Sequence, residues 1–142
     1  MAAPLGYASQ MDRWFGTAPS AADIEAIARA SLRRLPEPFA AHLRDVVLTV
    51  EDLADEATLS DMGIDDPFEL TGLYHGLPVG EKSVEQSGTL PDRIFLYRLA
   101  ILDEWAAEGE TLEHLVHHIL VHEVGHHLGL SDEAMHALED EA

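Results

Sequence analysis

Five of the nine histidines of this chain fall in the stretch HHILVHEVGHHLGLSD, from His117 to Asp132. Within it, His122, Glu123 and His126 spell HExxH. Residues four apart stand one turn apart on one helix face, so both imidazoles reach a single tetrahedral ion. Glu123 stands beside the first imidazole and can take a proton from an ion-bound water without occupying a coordination position. Zinc lowers the pKa of such a water to about 7, which makes a hydroxide-like nucleophile available at neutral pH. A catalytic site then needs a third protein ligand and an open fourth position. Gly129 follows three residues after His126, and Asp132 three after Gly129. A continuous helix does not aim a residue six positions on at the same ion. Glycine permits the sharp turn that brings Asp132 back toward it. The whole pattern, HExxHxxGxxD, predicts one zinc ion held by His122, His126 and Asp132, with Glu123 as general base. HExxH alone arises readily by chance in a chain this rich in His and Glu; the longer pattern does so far more rarely.

Each neighbouring residue also has a plainer reading. Asp132 is of a type favoured in the first turn of a helix. His127 lies about 100° round the helix from His126 and reads as an outer-sphere or surface residue. His118 would extend the histidine stripe, but the tetrahedral set is already full, so a hydrogen-bonding or surface role is expected. His114 and His117 read as solvated, and His136 is the rival third ligand. Gly125 is costly inside a helix; either something approaches it closely or it is merely tolerated. Tyr74 and Tyr97 read as strand packing. The acidic run from Glu51 to Asp66 reads as a solvated face and lacks the spacing of a calcium loop.

The elements that must position these residues follow from periodicity and punctuation. Residues 1–19 read as a loose lead-in that docks through Trp14 and Phe15, ahead of a single domain over residues 20–142. Ser20 caps a helix with Ile24, Ile27, Ala28 and Leu32 near one face, stopped by Pro36 and Pro38. Asp45 to Glu51 is β-branched and apolar, a buried strand. Loops and one or two short helices follow, then a strand over Leu70 to Gly76. Gly80 to Pro91 is a polar surface connection, and Arg93 to Ile101 a further strand. The histidine helix runs from near Thr111 through His127, with Leu112, Leu115, Val116, Ile119 and Leu120 as its apolar face. Gly129 ends it, and Ser131 caps a short terminal helix.

Composition narrows the function classes. The 142 residues fit one compact domain, with 46% hydrophobic residues but only 6% aromatics, so aliphatic side chains must build the core. The formal charge of −19 argues against nucleic acid and against anionic membrane surfaces. The chain has no cysteine, so a metal site must use His, Asp, Glu and water. The N-terminus lacks a basic region followed by an apolar run, and no apolar run reaches membrane-spanning length, so a cytoplasmic location is the default.

The extended motif resembles the zincin metallopeptidases, with aspartate at Asp132 where the metzincin branch has a third histidine, as in the snapalysin-type variant. A closer resemblance is to small bacterial proteins with a minimal zincin-like domain. It rests on DDPFELTGLYHG (Asp65 to Gly76), LPDRIFLYR (Leu90 to Arg98) and VHEVGHHLGLSD (Val121 to Asp132), and extends from about His42 onward. The resemblance implies His122, His126 and Asp132 as zinc ligands and Glu123 as general base. It also implies a small mixed sheet whose edge strand, taken as RIFLYR, borders the cleft and pairs with an extended peptide or protein substrate. Met135 comes only three residues after Asp132, too soon for the separate methionine turn of metzincins. A glutamate ligand, as in other zincins, would come from Glu133, Glu139 or Glu141. Tyr74, Tyr97 and His136 are the candidates for stabilising an oxyanion. The expected fold is therefore α+β and zincin-like: a small twisted mixed sheet packed on an N-terminal helix and the metal-bearing helix. The expected function is zinc-dependent peptide-bond hydrolysis. The alternatives are a non-proteolytic zinc-binding protein and an interaction module with a structural zinc, whose four positions would all be filled by protein atoms.

Overall fold

The computed structural model describes residues 15–76 and 91–141. Ser20 opens helix α1 (Ala21–Arg33) through a reciprocal capping box. Its hydroxyl accepts from the Asp23 N–H at 3.1 Å, and the Asp23 carboxylate accepts from the Ser20 N–H at 2.8 Å. Ile24 and Ala28 face the core from this helix, as the periodicity predicts. After the prolines come a single helical turn, α2 (Phe39–His42), and strand β1 (Val47–Glu51). The acidic segment forms α3 (Glu56–Met62) and a 3-10 turn at Pro67–Glu69. Strand β2 (Gly72–His75) and strand β3 (Arg93–Tyr97) follow, then helices α4 (Arg98–Glu108), α5 (Leu112–Leu128) and α6 (Asp132–Glu141). The fold is α+β, with helices packed on a small mixed sheet.

The sheet corrects one expectation. Its order is β1-β3-β2, so RIFLYR is the central strand and not the edge. Strand β1 runs parallel to β3, with Val47 opposite Arg93; β2 runs antiparallel to it, with Gly72 opposite Leu96 and His75 opposite Arg93. The edge nearest the histidine helix is β2. Strand β3 is apolar because it is covered on both faces, and that run of apolar residues says nothing about its place in the sheet.

The strand expected over Arg93 to Ile101 stops at Tyr97, and α4 begins at Arg98 without a linker. The segment RLAILDEWAAE is rich in Leu, Ala and Glu, which favour helix. Three contacts turn the chain there. The Leu99 N–H donates to the Asp52 carbonyl at 3.0 Å, the Arg98 guanidinium donates to the Pro19 carbonyl at 2.7 Å, and it stands 3.6 Å from the Asp52 carboxylate. The expected docking of the lead-in does not extend to Phe15, which is 89% exposed. Trp14 and nearly all of the Gly80 to Pro91 connection lie outside the described residues.

Helix α5 is the spine. Leu115, Val116, Leu120, Val121 and Val124 are all fully buried, a wider band than one apolar face. The helix packs against α1, β2, α4 and α6. Among the described residues no helix is long and apolar enough to cross a membrane.

Gly125 explains how α6 docks. A Cβ built there would stand 2.4 Å from Met135 Sδ and 2.5 Å from Met135 Cγ. Met135, buried in α6, fills the notch that the missing side chain leaves. Gly125→Ala is therefore expected to destabilise the protein by about 1–3 kcal/mol through overpacking. Combined with Met135→Ala, it should cost less than the sum of the single changes in denaturant melts. Strictly additive losses would show that the two positions do not meet.

Two helix caps predict part of the acid response. The backbone N–H and then the hydroxyl of Ser20 hold the Asp23 carboxyl below its usual pKa, and the side chain and then the backbone N–H of Thr58 do the same for Asp55. Carboxyls depressed in the folded state contribute stability above their unfolded pKa, about 4, and lose it as pH falls through the folded value. Asp23→Asn with Asp55→Asn should flatten the acid limb of a melting-temperature profile below about pH 4. An unchanged limb would mean that neither cap is coupled to folding.

Candidate active site

Thr111 opens α5 by accepting from the His114 N–H at 3.0 Å. At the other end Gly129 takes the left-handed conformation at φ 74°, and the Leu130 N–H returns to the Gly125 carbonyl at 2.8 Å. The sharp turn expected at this glycine is present. Ser131 then caps α6, accepting from the Ala134 N–H at 3.1 Å. Asp132 is the first residue of α6 and is exposed.

Glu123 does not point into solvent. Its Oε1 accepts from the Tyr74 backbone N–H at 3.1 Å, which ties α5 to strand β2. Gly72 makes this contact reachable. A Cβ at Gly72 would stand 2.9 Å from Ile119 Cγ2, so only a bare backbone lets α5 lie this close to β2. Ile119 is one turn before Glu123, and Gly72 is two residues before Tyr74. Burial raises the pKa of Glu123, opposed by the Tyr74 amide and by His126.

The imidazoles form a stripe along α5. The His122 and His126 rings lie 6.0 Å apart, centroid to centroid, and nearly perpendicular. His118 and His122 are closer, at 4.2 Å. Glu139 of α6 joins this second pair. His118 Nδ1 contacts Glu139 Oε1, and His122 Nε2 lies 3.8 Å from Glu139 Oε2. One donor atom each from His118, His122 and Glu139 falls within 4.8 Å of the others. His126 and Asp132 belong to no such group of three among the described residues. Glu139 is one of three downstream glutamates in the sequence; nothing local distinguishes it until α6 folds back.

These donors suit a divalent ion. His122 Nε2 is buried and has no hydrogen-bond partner. Burial, and then the neighbouring His118, lower the His122 pKa, which keeps the ring neutral and its lone pair available. Neutral imidazole and carboxylate without thiolate are donors zinc accepts.

Several bystanders are not where the sequence suggests. His117 is buried, not solvated: its Nδ1 hydrogen-bonds the Ser31 hydroxyl of α1, and burial lowers its pKa. The α1–α5 interface covers it. His127 is also covered, its ring stacked on Tyr74 with centroids 3.9 Å apart. The Tyr74 hydroxyl donates to Asp92 Oδ2 at 2.8 Å, and burial followed by Asp92 pushes its pKa far up. Tyr97 is pushed up to about 12 by burial and then by Glu51, Asp55 and Glu123. Both phenols therefore stay protonated near neutral pH. His114 is exposed as expected and pairs with Glu110 at 2.6 Å.

The sequence profile of the zincin-like metallopeptidase family matches residues 43–142, well over half of the chain. The chain belongs to that family. No curated protein matches it. The matched region of this zincin-like chain begins after α1 and includes the sheet, α5 and α6.

The Gly72 contact carries a test of the site's construction. Gly72→Ala should lift α5 from β2 and cost about 1–3 kcal/mol. Exchange of the Tyr74 amide hydrogen, followed by NMR, should accelerate. Unchanged protection at Tyr74 would show that the Glu123 contact does not depend on this glycine.

Proposed function

We propose that this zincin-like protein hydrolyses peptide bonds, with zinc held by His122, His126 and Asp132 and with Glu123 as general base. The observation that carries the reading is the Glu123 carboxylate, partly buried, anchored on the backbone of an edge strand and followed three residues later by His126. Bound to those ligands, zinc would polarise the scissile carbonyl and acidify the attacking water. Glu123 accepts the proton of that water and returns it to the departing amine nitrogen. Its raised pKa makes it a stronger base than an exposed glutamate.

The edge strand supports a peptide substrate. The Tyr97 N–H donates to the Thr71 carbonyl at 2.9 Å, so Thr71 faces β3. Pairing alternates along an antiparallel ladder, so Gly72 and Tyr74 turn their backbone groups to the open edge. Glu123 takes the Tyr74 N–H, and among the described residues no strand pairs with this edge, so its carbonyls are offered to an extended chain.

The test is cleavage of a mixed peptide library by the zinc-loaded protein. Glu123→Gln should lower the rate by about a hundredfold to ten-thousandfold while zinc stays bound. No cleavage by the unsubstituted protein across a broad library would overturn the hydrolytic reading and favour a zinc-binding or interaction role.

A further inference from the structure

The HExxH reading leaves His118 and Glu139 without a task, yet they make the tightest donor cluster of the described residues. His118 and His122 have the same four-residue spacing as His122 and His126, and their rings lie closer, 4.2 Å against 6.0 Å. Glu139 is brought over this pair by α6, and its side chain is only 13% exposed. Its carboxylate faces three imidazoles. His118 touches one oxygen, while His122 Nε2 at 3.8 Å and His136 Nδ1 at 3.5 Å face the other. A carboxylate ringed by imidazoles is an unremarkable ion-pair cluster when the rings are charged. Here, however, His122 Nε2 is buried with no hydrogen-bond partner, a nitrogen left for a Lewis acid.

We propose that His118, His122 and Glu139 form a second divalent-metal position, mutually exclusive with His122, His126 and Asp132 because both draw on the one His122 ring. His136 stands ready to close its fourth coordination place. One helical turn separates the two positions, about 6 Å along α5. Metal in the earlier position is a turn out of step with Glu123 and His126 and is held without hydrolysing. The inactive role rests on the hydrolytic reading proposed above; the site itself does not.

Zinc titration calorimetry on the full chain separates the two claims. The His126→Ala/Asp132→Ala variant should still bind one zinc, weakened by no more than about a hundredfold, a loss typical of a disturbed rather than destroyed site. The quadruple variant that adds His118→Ala and Glu139→Ala should bind none, as should His122→Ala. X-ray absorption on the zinc-loaded His126→Ala/Asp132→Ala protein should count two or three imidazole ligands, and circular dichroism of each metal-free variant checks its fold. If that folded double variant binds no better than His122→Ala, the second position is overturned. If His118→Ala/Glu139→Ala binds none while His126→Ala/Asp132→Ala binds fully, the second position stands and the hydrolytic ligand set fails. The zinc-loaded His118→Ala/Glu139→Ala variant should also cleave peptides faster per bound zinc than the unsubstituted chain. An equal or slower rate overturns the inactive role.

Discussion

The contact on which the site depends is the hydrogen bond from the Tyr74 amide to Glu123. A hydrogen bond to a charged group contributes about 1.5–3 kcal/mol when partly buried. Its larger effect is geometric. It ties the Glu123 turn of α5 to β2, and together with the buried aliphatic band of that helix it holds the imidazole stripe in one orientation. It also takes the outward N–H of an edge strand, a group that would otherwise be open to unwanted pairing. The bond exists because Gly72 lets Ile119 descend onto β2. Helix and edge are thereby held at a distance that a side chain at Gly72 would enlarge.

A second glycine does the matching work on another face of α5. Gly125 is poor for helix propensity, and its cost is offset by admitting Met135 and so seating α6. That docking carries Glu139, near the end of α6, over His118 and His122, while Asp132 at its start is exposed. The two notches therefore lie on either side of the contacts, one in β2 where the histidine helix settles and one in that helix where α6 settles. The aliphatic core around Leu115, Val116, Leu120 and Val124 keeps both notches in register.

Much of this was legible in the sequence because its signals are local. Ser20 with Asp23, the apolar spacing of α5, Gly129 and Ser131 each act within a few residues, and each appears where expected. The misreadings all involve partners distant in the chain. The order β1-β3-β2 is set by which edges meet, and no strand encodes it alone. Helix α4 was hidden because a short apolar run reads equally as strand or helix, and Asp52 turns the chain from far upstream. His117 looked solvated until α1 brought Ser31 over it, and Glu139 stood equal with Glu133 and Glu141 as a candidate glutamate ligand until α6 folded back. The four-residue spacing of His118 and His122 was visible, but it was set aside on the assumption that one tetrahedral set exhausts the stripe.

The expected hydrogen-bonding role of His118 agrees with its contact to Glu139, yet helix geometry does not itself restrict a metal to one pair. An α-helix with histidines at successive four-residue steps offers the same bidentate pair at every turn, at 118 and 122 and again at 122 and 126. Helix spacing alone does not choose between them. The choice falls to donors outside the helix, and the two candidates, Asp132 and Glu139, both sit on α6, nearly two turns apart. On the two metal positions proposed, the choice between them rests on how α6 leaves the Gly129 turn and settles on Gly125. HExxH specifies a face and a base; the turn and the packing of the next helix specify where along that face the metal stands.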